Sequence, residues 1–207
     1  MPPAFHSMVV HLLTGLFFAA AIAVVARLFL QWRGTDESSP LAVASDYAGW
    51  FTGMAGLLFS VGGFGTGFFI WGLEASVNSP VIRNKILASL VLLLTWGLFS
   101  WLRGRYGPQL WRNVPLALFY TFLALIGNHW ILVTNSIGGD VAGVPSGYEA
   151  IPQLTGVETR FTYYLPTWMI ATMIVVAIGL VVFALMDRRR GSATDEEPDL
   201  AESADRA

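Results

Sequence analysis

The sequence contains no cysteine among its 207 residues. This absence excludes disulfide bonds, cysteine-ligated iron–sulfur clusters, thiolate metal sites and covalently attached c-type haem. Charged residues are also scarce, at 13% of the chain, where soluble domains average about 25%. The formal net charge of -2 offers no electrostatic footprint for nucleic acid, so no nucleic-acid partner is expected.

Long apolar segments dominate what is present. Hydrophobic residues make up 55% of the chain, and five segments reach the roughly 20 mainly apolar residues that a spanning helix needs. They cover about residues 8–30, 47–73, 81–102, 114–137 and 164–186. The sequence therefore predicts an all-α integral membrane protein with five transmembrane helices. We expect a multi-pass protein of the cell (plasma) membrane, embedded in the lipid bilayer.

Basic residues are unevenly distributed between the two ends of the predicted helices. One side carries Arg27, Arg33, Arg103, Arg105, Arg112 and Arg188 to Arg190. The opposite side carries only Arg83, Lys85 and Arg160. Because loops rich in lysine and arginine stay in the cytoplasm, this bias predicts an outer N-terminus and a cytoplasmic C-terminus.

Two segments outside the predicted helices differ from the rest in composition. The region from about 138 to 162 is rich in glycine and proline, and we interpret it as an outer loop. Residues 188–207 are first basic, then acidic, and poor in apolar side chains. Such a segment cannot bury enough surface to fold, so a disordered cytoplasmic tail is predicted after a five-helix bundle at 1–187.

Three histidines, His6, His11 and His129, are the candidates for chemistry. By the predicted topology, His11 lies about one turn below the outer surface and His129 about two turns below it. Two imidazoles at similar depth on different helices are what axial ligation of one haem iron requires. His6 is the weaker candidate, because it lies about 140° around the helix from His11.

A porphyrin also needs space between helices, which small side chains provide. The second predicted helix carries a stripe of them, namely Gly53, Gly56, Ser60, Gly63 and Gly67. Gly63 and Gly67 lie at the predicted depth of the histidines, and Gly15 follows His11 by one turn. The same stripe would also serve close helix packing without any cofactor, and that alternative stays open.

Polar residues near the outer helix ends could bind the charged parts of a ligand. Arg83 and Lys85 suit haem propionates, although cations at such depth also serve as interface anchors. Asn135 and Asp140 could bond a propionate, a quinone or water, or could act as surface caps. No charge is predicted at mid-membrane, which argues against an ion pump or proton channel.

Four stretches of the chain carry a family resemblance. They are Phe5–Ala21 with its histidines, the glycine-rich Ser45–Gly72, Asn78–Arg103 with its terminal arginine, and Val133–Gly143, which reads VTNSIGGDVAG. Together they resemble the DUF2231-type membrane protein family, small four-helix bundles proposed to bind b-type haem. The resemblance covers about two-thirds of the chain and implies a haem site in the first four helices, with an added C-terminal helix.

Two positions depart from the pattern of that family. Its third helix often begins with a histidine, where this chain has Arg83, Asn84 and Lys85. Its fourth-helix motif has a histidine where this chain has Asn135 or Ser136. If haem is bound, ligation is therefore expected to have moved to His129, and otherwise the site has been lost.

The sequence as a whole predicts a b-type cytochrome or electron-transfer subunit. One haem b would lie between helices 1 and 4 near the outer face, with His11 and His129 on the iron. Other membrane redox subunits and a quinone are the expected partners. A cofactor-free structural or assembly subunit of a respiratory-type complex is the alternative, and a transporter fits less well because inverted repeats are absent. No acid–base or nucleophile constellation appears, which favours an accessory role over stand-alone catalysis.

Overall fold

The described part of the chain is built from helices. A computed structural model describes residues 3–143, together with positions 171, 172, 174, 175 and 178. Over residues 3–143 it contains helices α1 (Pro3–Trp32), α2 (Pro40–Asn78), α3 (Pro80–Tyr106) and α4 (Val114–Val141), and a 3-10 helix at Gly107–Arg112. Within the described residues, four helices are long and apolar enough to cross a membrane. The described residues thus confirm an all-α, multi-pass membrane protein.

The chain divides into two compact units, Met1–Ile170 and Ala171–Ala207. In the second unit, the described positions 171, 172, 174, 175 and 178 are helical. The other residues of the predicted fifth helix at 164–186 lie outside the described residues. So do the tail at 188–207 and most of the predicted outer loop.

Three helices begin at a capping side chain followed by proline. Ser39, Ser79 and Asn113 each accept a hydrogen bond from the backbone N–H three residues later, at 3.2–3.4 Å. Proline stands within the next two positions each time, where its missing N–H leaves no hydrogen bond unmade. These caps extend α2 back to Pro40, well before the predicted start near residue 47.

The predicted end of the second helix coincides with a kink. At Gly72 the backbone adopts φ 67° and ψ 157°, and helical structure then resumes as far as Asn78. Glycine adopts a positive φ without steric cost, so the helix changes direction here. At the end of α4 the helix continues to Val141, so residues 138–141 are helical where the sequence predicts a loop.

The four helices form a ring. α1 contacts α2 and α4, and α3 contacts the same two helices. Consecutive helices are joined by short connections and run antiparallel. We name the two ends of the bundle after α1. The Pro3 end also holds Asn78, Pro80 and Val141, and the Trp32 end holds Pro40, Tyr106 and Val114.

A row of five aromatic rings fills the bundle from its middle to its Trp32 end. Phe17 stacks on Trp96 with 4.3 Å between ring centroids, and Trp96 meets Phe99 edge-on at 4.8 Å. Phe99 stacks on Tyr120 at 4.1 Å, and Tyr120 meets Trp111 edge-on at 5.6 Å. All five side chains are fully buried. The row therefore links α1, α3, α4 and the 3-10 helix through one continuous contact.

Glycines allow this aromatic row to approach the helix backbones closely. A Cβ built on Gly53 would lie 2.8 Å from Phe99, and one on Gly56 would lie 2.7 Å from Phe17. Gly127 on α4 meets Trp96 in the same way, at 2.6 Å from Nε1. The small-residue stripe of α2 thus serves packing at Gly53 and Gly56.

A buried ion pair joins α2 to α3 at the Trp32 end. Arg103 donates from Nε to Asp46 Oδ1 at 2.9 Å and from Nη2 to Oδ2 at 2.6 Å. Trp111 Nε1 donates to the same carboxylate at 2.8 Å, and the Arg27 guanidinium lies 5.0 Å above the Trp111 ring. Arg27 and Arg103 are at most 5% exposed. They belong to the bundle core and not to loops, which corrects their assignment from the charge pattern.

We expect Gly127→Ala to destabilise the protein, because the added Cβ would overlap the ring of Trp96, which is buried between Phe17 and Phe99. Overpacking of this kind costs about 1–3 kcal/mol. Gly97→Ala is the matched control, since nothing lies within 4 Å of a Cβ at that position. Thermal unfolding of both variants in detergent, followed by tryptophan fluorescence, checks this expectation. Equal midpoints for the two variants would contradict the packing described here.

Candidate functional site

A cavity of about 700 Å³ lies between the four helices at the Pro3 end. This volume falls within the range of about 300–1,000 Å³ that small-molecule and cofactor sites occupy. Most of the wall is apolar, with Leu13, Phe68 and Trp71 among the larger side chains. The space exists because small residues face it from three helices: Ser60, Gly63 and Gly67 on α2, Ser89 on α3, and Gly138 and Gly139 on α4.

His6 presents a buried ring nitrogen in the cavity wall. Its Nδ1 lies 2.9 Å from Thr66 Oγ1, and the single hydroxyl proton of Thr66 is donated to Gly63 O at 3.0 Å. When the hydroxyl donates to Gly63 O it accepts from His6, and in that arrangement Nδ1 carries the proton and Nε2 of the neutral ring carries the lone pair. Nε2 is buried and has no hydrogen-bond partner among the described residues.

His11 lines the same cavity from one turn further along α1. Its Nδ1 lies 2.7 Å from Ser7 O. A carbonyl only accepts, so His11 Nδ1 is also the protonated nitrogen and Nε2 again carries the lone pair. The residue is exposed at the rim of the cavity, in contrast to the buried nitrogen of His6.

His129 does not line the cavity. It is exposed on the outside of α4, with its ring centroid 6.0 Å from that of Trp130. The neighbouring Asn128 faces inward instead, where its Nδ2 donates to Phe17 O at 3.1 Å and ties α4 to α1. The described fold therefore does not bring His129 together with His11. His11 lines the cavity, whereas the side chain of His129 points outward from α4.

Asn135 faces the cavity from α4, whereas Asp140 is absent from its wall. Asn135 Nδ2 donates to Thr14 Oγ1 at 3.0 Å, and the Thr14 hydroxyl donates to Val10 O at 2.6 Å. The amide oxygen of Asn135 is buried without a hydrogen-bond partner among the described residues. Asn135 thus offers the cavity one acceptor and holds α4 to α1.

Of the two cations predicted to bind a ligand, only Lys85 lines the cavity. Arg83 is buried and its Nε donates to Val77 O, so its side chain closes the junction of α2 and α3 and does not line the cavity. Lys85 does line the cavity. Its Nζ occupies the space beside Gly138, where a built Cβ would lie 2.8 Å away.

Of the three glycines predicted to make room for a ligand, two line the cavity and one does not. Gly63 and Gly67 line the cavity, and a Cβ on Gly67 would lie 3.7 Å from His6 Cε1. Gly63 also packs closely on Leu13, with 3.2 Å to a built Cβ. Gly15 is exposed with nothing within 4 Å of a built Cβ, and it is not part of the wall.

The site therefore combines two imidazole lone pairs, one amide oxygen and one ammonium group in an apolar cavity. Such a set could hold one amphiphilic molecule through a metal or hydrogen-bond donor at His6 and an acceptor at Lys85. Within the described ranges, no group of three or more His, Asp or Glu side chains is placed to share a metal ion. From the sequence His6 is the weaker candidate because of its angle from His11, and no local pattern links it to Thr66, 60 residues away.

Comparisons with known protein families, with curated proteins and with solved structures found no match for this chain.

We expect Thr66→Val to release the His6 ring from its fixed tautomer, because valine offers no acceptor for Nδ1. Thr52→Val is the matched control, since the Thr52 hydroxyl bonds only its own helix, at Ala48 O. Two-bond nitrogen–proton correlation spectra of histidine-labelled protein in detergent report which ring nitrogen is protonated. The unmodified chain and Thr52→Val should show the Nδ1–H form at His6, and its persistence in Thr66→Val would contradict the assignment.

Proposed function

We propose that this chain is a b-type cytochrome or electron-transfer subunit that binds one haem b in the cavity at the Pro3 end, with His6 as an axial ligand. The observation that carries the proposal is the His6 Nε2 lone pair, which is buried at the cavity without a described partner. A ligand in the cavity could complete the bonding of this unpartnered nitrogen.

The surroundings of His6 support this choice of ligand atom. Histidines that bind metals commonly donate their other ring N–H to a fixed acceptor, which sets the tautomer and the ring orientation. Thr66 Oγ1 performs that role for His6, and Ser7 O performs it for His11. Haem b, when bound, would supply a one-electron redox centre.

The proposal departs from the ligand pair that the sequence favours. His6 and His11 both lie on α1, so α4 would contribute no histidine to the haem, because His129 lies outside the cavity. His6 is therefore proposed as the single axial histidine of the described residues. This shortage of a second histidine also favours the alternative, a cofactor-free structural or assembly subunit of a larger membrane complex.

Charge on the described surface supports the proposed orientation. Arg33, Arg105 and Arg112 are exposed at the Trp32 end, and Arg112 lies 2.9 Å from Glu37 there. By the positive-inside rule this end would face the cytoplasm, so the cavity would open near the outer face of the cell membrane. Electrons would then pass between a quinol or a redox subunit of the membrane and an acceptor on the outer side. The fifth span at 164–186 belongs to this proposal as well.

We expect detergent-purified protein, expressed with ample haem supply, to show a sharp alpha band in its reduced-minus-oxidised spectrum. A pyridine haemochrome assay should give about one haem per chain. His6→Ala should lose the bound haem, whereas His129→Ala is the control and should keep it. A colourless protein, or an unchanged Soret band in His6→Ala, would overturn the proposal. A colourless protein would favour the cofactor-free accessory subunit.

We expect Gly67→Phe to exclude haem by filling the cavity beside His6 while the aromatic row stays intact. Gly62→Phe is the matched control on the same helix, because Gly62 is exposed with nothing within 4 Å of a built Cβ. Haem content per chain and circular dichroism of both variants separate blocked binding from misfolding. Full haem loading of a folded Gly67→Phe protein would place the cofactor elsewhere.

A further inference from the structure

Lys85 brings an ionisable amine into an apolar wall within a membrane-spanning helix. Its position depends on Gly138, since any larger residue there would occupy the space of the ammonium group. Ionisable groups inside membrane helices are costly and usually meet a partner of opposite charge. Lys85 is therefore expected to have a negatively charged partner.

The described residues provide no such partner. Their two ion pairs, Asp46 with Arg103 and Glu37 with Arg112, both lie at the Trp32 end. Neither Glu74 nor Asp140 lines the cavity. The polar side chains that do line it beside Lys85 are neutral hydroxyls, the Trp71 indole, the Asn135 amide and the imidazoles of His6 and His11. No described carboxylate forms an ion pair with Lys85.

We propose that the cavity ligand carries a carboxylate that pairs with Lys85. His6 and Lys85 would then hold one amphiphilic molecule at two separate points, through an imidazole lone pair and through an ammonium group. The inference rests on the proposed function where that carboxylate is a haem propionate. A long-chain fatty acid has the same chemistry, an apolar body with one carboxylate, and is the other source.

Haem b and its dimethyl ester, in which both propionates are esterified, test the pairing directly. Each is titrated into haem-free, full-length protein in detergent, and binding is followed by the Soret band. We expect the unmodified protein to bind the ester about tenfold more weakly or worse, as the loss of one charged hydrogen bond implies. Lys85→Met should bind both forms equally, at the weaker affinity.

Arg105→Met is the matched control, because it removes a cation from the exposed other end of the same helix. It should keep the preference for the free acid. If Lys85→Met does not fold, the comparison of acid and ester in the unmodified protein still tests whether the ligand carboxylate is recognised. Equal affinity for haem b and its ester there overturns the carboxylate pairing while leaving haem binding in place.

A second pair of probes distinguishes the two sources. Palmitate and methyl palmitate are titrated against the same three proteins, with binding measured by calorimetry. If haem does not bind, but palmitate binds more tightly than its ester in a Lys85-dependent way, the proposed function fails and the pairing stands. If neither pair of probes shows a preference that depends on Lys85, the pairing is wrong.

Discussion

The ion pair between Asp46 and Arg103 fixes how α2 and α3 align, and the packing of the other helices depends on that alignment. These two charges are excluded from water at the Trp32 end. Such a pair stabilises the fold most when it is bidentate and the remaining carboxylate lone pairs accept hydrogen bonds, as Asp46 does from Trp111. A fixed contact of this kind specifies register, because sliding α2 along α3 by one turn would leave both charges unpaired. The same register sets Gly53 opposite Phe99 and Trp96.

The two ends of the bundle differ because the same stripe of small residues meets different partners. Near the middle, Gly53 and Gly56 face aromatic rings, which fill the space that the missing side chains leave. Toward the Pro3 end, Gly67 faces only the edge of His6, and the opposing residues on α3 and α4 include Ser89 and Gly138. Small residues facing one another cannot fill the space between helices, so a cavity remains there.

Hydropathy and capping signals predict the helices well, but they do not predict which side of each helix faces inward. Phe51 and Leu58 on α2 are about as apolar as any core residue, yet they are 71% and 69% exposed, as lipid-facing residues are. Since the whole circumference of such a helix is apolar, periodicity gives no direction. The sequence predicts how far along its helix a histidine lies but not the direction in which it points, so the expectation for His129 rests on depth alone. The burial of Arg27 and Arg103 escaped prediction for a related reason, since their partners come from distant segments.

One turn of α2, residues 63–66, both packs against α1 and holds the His6 ring of the candidate site. Gly63 packs against Leu13 of α1, and its carbonyl accepts a hydrogen bond from the Thr66 hydroxyl. That bond obliges Thr66 to accept from His6, which leaves the imidazole lone pair on the buried nitrogen. The orientation of His6 is thus fixed by the same α1–α2 contact that closes the bundle below it. A substitution that separates these two helices should therefore release the His6 tautomer even where no cavity residue has changed.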